Sequence, residues 1–306
     1  MSHEIWLGLN IDPSVDRREE AFWRARLADT HGLDWITVQD HPYNPNFLET
    51  WTLLVALGMA TQRVRLGPNV ACTPLRSPAM LAKMSATLDV LTGGRVELGV
   101  GAGALPEGIY AFGGVAPATP AERVAAFREA VEILRGMWAH SGGTFSYAGR
   151  FYRVTGARPG PAPAHPIRLW FGALGPRMLR LTGRMGDGLL VSSPYVPPER
   201  LPEVHRRIDE GAAEAGRPPT AIRRGYNLMG VLDLGRPDTQ GTSRRPGVIV
   251  GPPARWVEEI LRLHEELRMD AFIFWPVMGN ERIQVEAFAQ EVVPMVRERG
   301  WGGGRG

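Results

Sequence analysis

Short runs of aliphatic and β-branched residues alternate with amphipathic stretches along nearly the whole chain. Runs of four to eight such residues bounded by Gly and Pro predict strands, and apolar positions recurring every three or four residues predict helices. EIWLGLN (4–10) precedes a helix over 16–31, DWITVQD (34–40) one near 49–60, and RVRLGPNVA (63–71) one over 78–91. GRVELGVGAG (94–103) leads, after a loop, into 120–138, and IRLWFGALG (167–175) into 176–184. GLLVSS (188–193) leads into 198–215, IRRGYNLMGVLDL (222–234) into 253–268, and AFIFWPV (271–277) into 281–299.

Eight strand–helix units in about 250–300 residues predict an α/β fold: a single (β/α)8 TIM barrel over 1–299, with its active site at the C-terminal strand ends. An open doubly wound sheet competes. GVGAG after the fourth strand lacks the G-x-G-x-x-G spacing and lies outside the first βα unit, which argues against a dinucleotide fold. Two segments interrupt the alternation. Residues 139–166 predict a β-hairpin and a Pro-rich connector inserted before strand five. Residues 235–252 are too polar and Gly-rich for an element and predict a mobile loop on the catalytic face, suited to be a lid. The Gly-rich end, 300–306, predicts a disordered tail.

Composition narrows the chemistry. No window approaches 18 consecutive apolar residues and the N-terminus lacks a signal pattern, so the expectation is a cytoplasmic protein with no membrane contact. The single cysteine, Cys72, rules out an internal disulfide framework. A net charge of +3 with arginines scattered among acidic residues argues against a nucleic-acid partner and leaves a small-molecule substrate. The one lysine, Lys83, lies mid-helix, which argues against Schiff-base chemistry. Of seven histidines only His41 falls at the C-terminal end of a strand, immediately after Asp40, too few for a metal-hydrolase cluster. The other strand ends are mostly small and uncharged, a wide floor where backbone groups can approach a ligand closely. GALGP before a helix offers free N–H groups suited to phosphate. Trp6, Tyr43, Phe112, Tyr195, Trp275 and Met278 are candidates for an aromatic substrate pocket.

DWITVQDHP, the long block TQRVRLGPNVACTPLRSPAMLAKMSATLDVLTGGRVELGVGAG, IRLWFGALGPRMLRLTGRMGDGLL and VVPMVRE resemble the bacterial luciferase-like superfamily of flavin- and F420-dependent oxidoreductases, most of all its F420-dependent branch. The resemblance implies a (β/α)8 barrel with an insertion before strand five, a homodimer through early helices, and coenzyme F420 bound at the C-terminal face, with FMN the alternative. It implies that His41 faces the redox centre, and a residue that titrates near neutrality can exchange the proton that accompanies hydride transfer. Asp40 is its expected companion. It also implies a cis Asn69–Val70 peptide whose bulge supports the ring, Ala102 and Gly103 lining that ring, and Gly172, Ala173, Leu174, Gly175 and Ser192 on the ribityl-phosphate side. This chain departs from the family's sugar-phosphate dehydrogenases: Ala104 replaces their acidic residue, the later strands carry no lysine, and the aromatic after the Asp-His pair is missing. The implied substrate is therefore uncharged or hydrophobic, with Glu107 a displaced carboxylate. An FMN-dependent monooxygenase or reductase served by a separate cofactor reductase is the second expectation, and a non-catalytic cofactor-binding barrel the third.

Overall fold

The computed structural model describes residues 3–237, 239, 241, 243 and 245–300. The expected tail lies outside these residues except for Gly300. In chain order the elements are β1 (Trp6–Ile11), α1 (Arg18–Thr30), β2 (Trp35–Val38), α2 (Thr50–Met59), β3 (Arg65–Pro68), β4 (Ala71–Cys72), α3 (Pro78–Thr92) and β5 (Leu98–Gly101). There follow α4 (Pro106–Ala111), α5 (Pro120–Ala139), β6 (Phe145–Ala148), β7 (Arg153–Ala157), β8 (Leu169–Gly172), α6 (Pro176–Met185), β9 (Gly188–Ser192) and α7 (Leu201–Glu214). The chain continues through β10 (Arg223–Leu232), β11 (Ile249–Gly251), α8 (Pro253–Glu265), β12 (Ala271–Pro276), α9 (Glu281–Ala287) and α10 (Val293–Gly300).

Helix starts follow local chemistry. Proline opens α3, α5, α6 and α8, where its missing N–H leaves no intrahelical bond unmade. Ser77 accepts the Met80 N–H ahead of α3, and Thr119 with Glu122 forms a reciprocal capping box on α5.

The chain divides into two compact units: residues 12–21 with 38–172, and residues 1–11, 22–37 and 173–306. In the first, β4, β5 and β8 run parallel, with Ala71 opposite Val100 and Gly101 opposite Gly172. Gly67 of β3 lies against the Glu97 carbonyl so closely that a Cβ would sit 1.7 Å from that oxygen, so only glycine fits. The antiparallel β6–β7 hairpin falls within 139–166. Its turn is fixed by the Glu129 carboxylate of α5, which accepts the N–H groups of Arg150, Phe151 and Tyr152.

In the second unit β1, β12, β10 and β9 are parallel neighbours. Behind them Phe274 stacks on Phe288 and meets Trp256 edge-on, a fully buried aromatic core. Helices α6 and α7 touch through glycine: a Cβ on Gly183 would lie 2.0 Å from the Ile208 carbonyl oxygen, and one on Gly211 2.0 Å from that of Arg180.

Two expectations are corrected. Residues 235–252 are not free of structure, because β11 pairs in parallel with β10; three residues acquire strand form from that pairing and not from their own pattern. Residues 238, 240, 242 and 244 of this segment lie outside the described residues. The loop after β5 also contains α4, which the pattern did not predict.

Candidate functional site

Strand β2 is buried throughout, and its β-branched run ends where Asp40 and His41 emerge. Asp40 is 1% exposed. Its Oδ2 accepts the Cys72 N–H at 2.9 Å and Arg76 Nη1 at 2.6 Å, and its Oδ1 accepts Arg76 Nη2 at 3.0 Å. Arg76 Nη2 also reaches Glu49 Oε1 at 2.6 Å, and Glu49 caps α2 through the Thr52 N–H. One guanidinium thus ties the end of β2 to the start of α2, in the bidentate geometry arginine shares with carboxylates. Asp40, the expected companion of His41, has its oxygens engaged by Arg76 and Cys72 and acts on His41 through charge.

His41 bonds a different neighbour. Its Nδ1 lies 2.6 Å from the Tyr43 hydroxyl. The chain turns over 41–44, with the Asn44 N–H donating to the His41 carbonyl at 2.9 Å, and Pro42 in the second position favours that turn. The rings of residues 41 and 43 are thereby brought to a centroid distance of 5.5 Å. Burial lowers the His41 pKa from its ordinary 6.5, with the Asp40 charge opposing. Burial raises the Tyr43 phenol, the neighbouring Cys72 and Asp40 adding to the effect. The Cys72 thiol is pushed up to about 12 by burial and then by Asp40, so it is an inert neutral group.

The floor is built around Val70. The Asn69–Val70 peptide is cis, and the Asn69 N–H donates to the Val38 carbonyl at 2.8 Å. Val70 Cγ2 lies 2.7 Å from where a Cβ on Gly101 would be, and 2.8 Å from one on Gly172. The valine methyls therefore rest on the ends of β5 and β8, and any larger residue at either glycine would displace them. Half-buried Ala102 and Gly103 continue this surface. Gly103 has φ of +84°, a conformation that favours glycine.

Helix α4 closes one side. Ile109 inserts beside Cys72, Ala116 and Leu75, and the backbone of Gly108 lies so close to the Tyr43 ring that a Cβ would sit 2.7 Å from it. Glu107, in the first turn, is exposed. The first unit therefore brings together Asp40, His41, Asn69, Val70, Ala102, Gly103 and Gly172, with Glu107 on the adjoining helix.

Ala173, Leu174, Gly175 and Ser192 belong to the other unit. Gly175 precedes α6 with no side-chain cap, and nothing lies within 4 Å of where its Cβ would be. Ser192, at the end of β9, accepts from Asn227 Nδ2 at 2.9 Å. Trp6 is corrected: it is the first residue of β1, buried beneath the Arg223 guanidinium at 3.9 Å from its ring, and so lies at the end of the strand opposite to Ile11. Arg76 and Gly108 were missed as site residues, and Tyr43, expected to line a substrate pocket, is the hydrogen-bond partner of His41. The arginine of the R-x-P turn before α3 was a signal for Arg76.

At 36% identity over 209 residues, the chain resembles an F420-dependent glucose-6-phosphate dehydrogenase of Nocardia farcinica, covering 65% of this chain and 61% of that one. At 32% over 210 residues it resembles a 5,10-methylenetetrahydromethanopterin reductase of Archaeoglobus fulgidus, covering 69% of this chain and 59% of the other. The matched segment thus spans about three-fifths of these two relatives' own length. An F420-dependent secondary alcohol dehydrogenase solved with an F420–acetone adduct superposes with a TM-score of 0.84 at 23% identity, over 96% of this chain and 100% of that one. This likeness shows the fold, a (β/α)8 barrel. The model of the luciferase-like monooxygenase family matches residues 8–235, and the chain belongs to that family.

Proposed function

We propose that this protein is a coenzyme F420-dependent oxidoreductase that moves hydride between the deazaflavin and an uncharged or hydrophobic organic substrate, with His41 exchanging the accompanying proton. The observation that carries this reading is His41 itself: a half-buried imidazole, held by Tyr43, at the end of a strand beside a glycine floor. The residues present fit the cofactor. Val70 standing on Gly101 and Gly172 offers an apolar support for the face of a flat ring. When bound, F420 donates or accepts the hydride. The chain's own residues support the ring, fix the end of β2 through Asp40 and Arg76, and hold a proton at His41.

The relatives' names supply the preference for F420 over FMN. A sugar phosphate is disfavoured as substrate because the only lysine, Lys83, lies on α3, bonded to the Gly160 carbonyl. Leu105, Tyr110 and Phe112 on and beside α4 are exposed apolar surface, and Glu107 is the nearby carboxylate. Exposed Val55 and Met59 on α2 and Met80, Val90 and Leu91 on α3 are the proposed contact of a homodimer. Among the described residues no helix is long and apolar enough to cross a membrane, and we place the activity in the cytoplasm. The test is to supply reduced F420 with a panel of ketones, aldehydes and enones, and oxidised F420 with the matching alcohols, following the deazaflavin absorbance. Turnover with at least one pair supports the proposal. Turnover only with reduced FMN, oxygen and a separate reductase would replace it with the FMN-dependent alternative.

A further inference from the structure

His41 has two ring nitrogens, and among the described residues only one has a partner. Nδ1 lies 2.6 Å from Tyr43 Oη, whereas Nε2 has no hydrogen-bond partner among the described residues. The tyrosine is held from two sides: the turn over 41–44 places it beneath His41, and the backbone of Gly108 closes over its ring with no room for a side chain.

We infer that Tyr43 is a positioning residue: its phenol donates to His41 Nδ1 and thereby keeps the ring's one hydrogen on Nε2. If Nδ1 carried the hydrogen instead, the phenol hydrogen would point away from its only partner among the described residues. A phenol is also a better donor than an imidazole N–H, and an imidazole nitrogen a better acceptor than a phenol oxygen. The charged and titratable groups around the pair are Asp40 beside His41, Cys72 on β4, and Arg76, which holds Asp40. Burial keeps the phenol protonated and the imidazole neutral at pH 7, so the bond joins two neutral groups.

The consequence concerns the substrate, and to that extent it rests on the hydride-transfer function proposed above. A neutral His41 with its hydrogen on Nε2 presents a donor, which favours substrates that bring an acceptor, such as a carbonyl or imine, to that nitrogen. Aspartate in the same place could not set this tautomer, because a carboxylate only accepts.

Nitrogen-15 labelling of the histidines and long-range proton–nitrogen spectra of the cofactor-free protein read the tautomer directly, with His41 assigned from the His41→Asn spectrum. Wild type should show the Nε2–H form above the His41 titration. In Tyr43→Phe the neutral form loses its donor, so the pKa of His41 should rise by about one pH unit and the Nε2–H preference should fade. Gly108→Ala, which pushes the tyrosine ring aside, should shift both in the same direction. An Nδ1–H form in wild type, or an unchanged tautomer and titration in both variants, would overturn the inference. Neither readout needs F420, so a protein that shows the tautomer but fails to bind F420 would refute the proposed function and leave this inference standing.

Discussion

Arg76 holds both carboxylate oxygens of Asp40, at 2.6 and 3.0 Å, with the aspartate side chain inaccessible to solvent. Breaking such a pair leaves a buried charge without its partner, which costs about 3–5 kcal/mol. Arg76→Ala should therefore lose roughly that much in urea unfolding at pH 7. The paired Asp40→Asn, Arg76→Met variant, in which no charge is stranded, should lose distinctly less. Equal losses in the two would show that the pair is not what holds this strand end.

His41→Asn should leave F420 affinity within a few-fold while lowering turnover by about 10²–10⁴, the usual contribution of a positioned acid–base group. Because burial lowers the His41 pKa, its inflection in the pH–rate profile belongs below 6.5 and should be missing from the variant. Steady-state kinetics across pH, together with an F420 titration, separate the two effects.

The Val70 floor makes a steric prediction. A methyl at Gly172 would come within 2.8 Å of Val70 Cγ2, so Gly172→Ala must shift the valine. Overpacking of this kind costs about 1–3 kcal/mol, or about 5- to 150-fold in F420 affinity if the floor carries the ring. Adding Val70→Ala makes room again and should recover part of the loss. Equilibrium titration of the three proteins decides it, and no recovery in the double variant would place the ring elsewhere.

A buried histidine far from this chemistry sets the acid limit of stability. His205 accepts from Arg224 Nε at 3.2 Å through Nδ1 and donates from Nε2 to the Leu267 carbonyl at 2.8 Å. Burial, then the Arg224 charge, drives its pKa down to about 4. A depressed value means the unfolded chain binds the proton first, so stability is complete above 6.5 and drains away as pH falls from 6.5 to about 4, by roughly 3 kcal/mol at the end of that range. His205→Asn should be weaker at pH 7 but lose less over the same interval. Chemical unfolding at several pH values measures both slopes.

Most of this architecture was legible because Gly and Pro punctuate the apolar strand runs, and five helices, α3 to α6 and α8, open on proline. Asp40 and His41 stood out as the only ionisable pair closing an apolar run. The misses have physical causes. Helix α4 is six residues long, too short for a periodic pattern, and is held by Ile109 and the Tyr43–Gly108 contact. The three residues of β11 become a strand only by pairing with β10. The Asp40–Arg76 bond joins residues 36 apart in the chain, beyond the reach of local pattern. Trp6 was assigned to a substrate pocket on residue type alone, whereas its position as the first residue of β1 sets it at the end opposite the strand mouth.

The central claim is that this floor and this histidine serve a deazaflavin. It is tested most directly by titrating the cofactor-free protein with F420 and, separately, with FMN, following quenching of its tryptophan fluorescence. Saturable quenching by F420 at lower concentration than by FMN, weakened in Gly172→Ala and nearly unchanged in His41→Asn, is the predicted result. Tighter binding of FMN, or no saturable binding of F420, would contradict it.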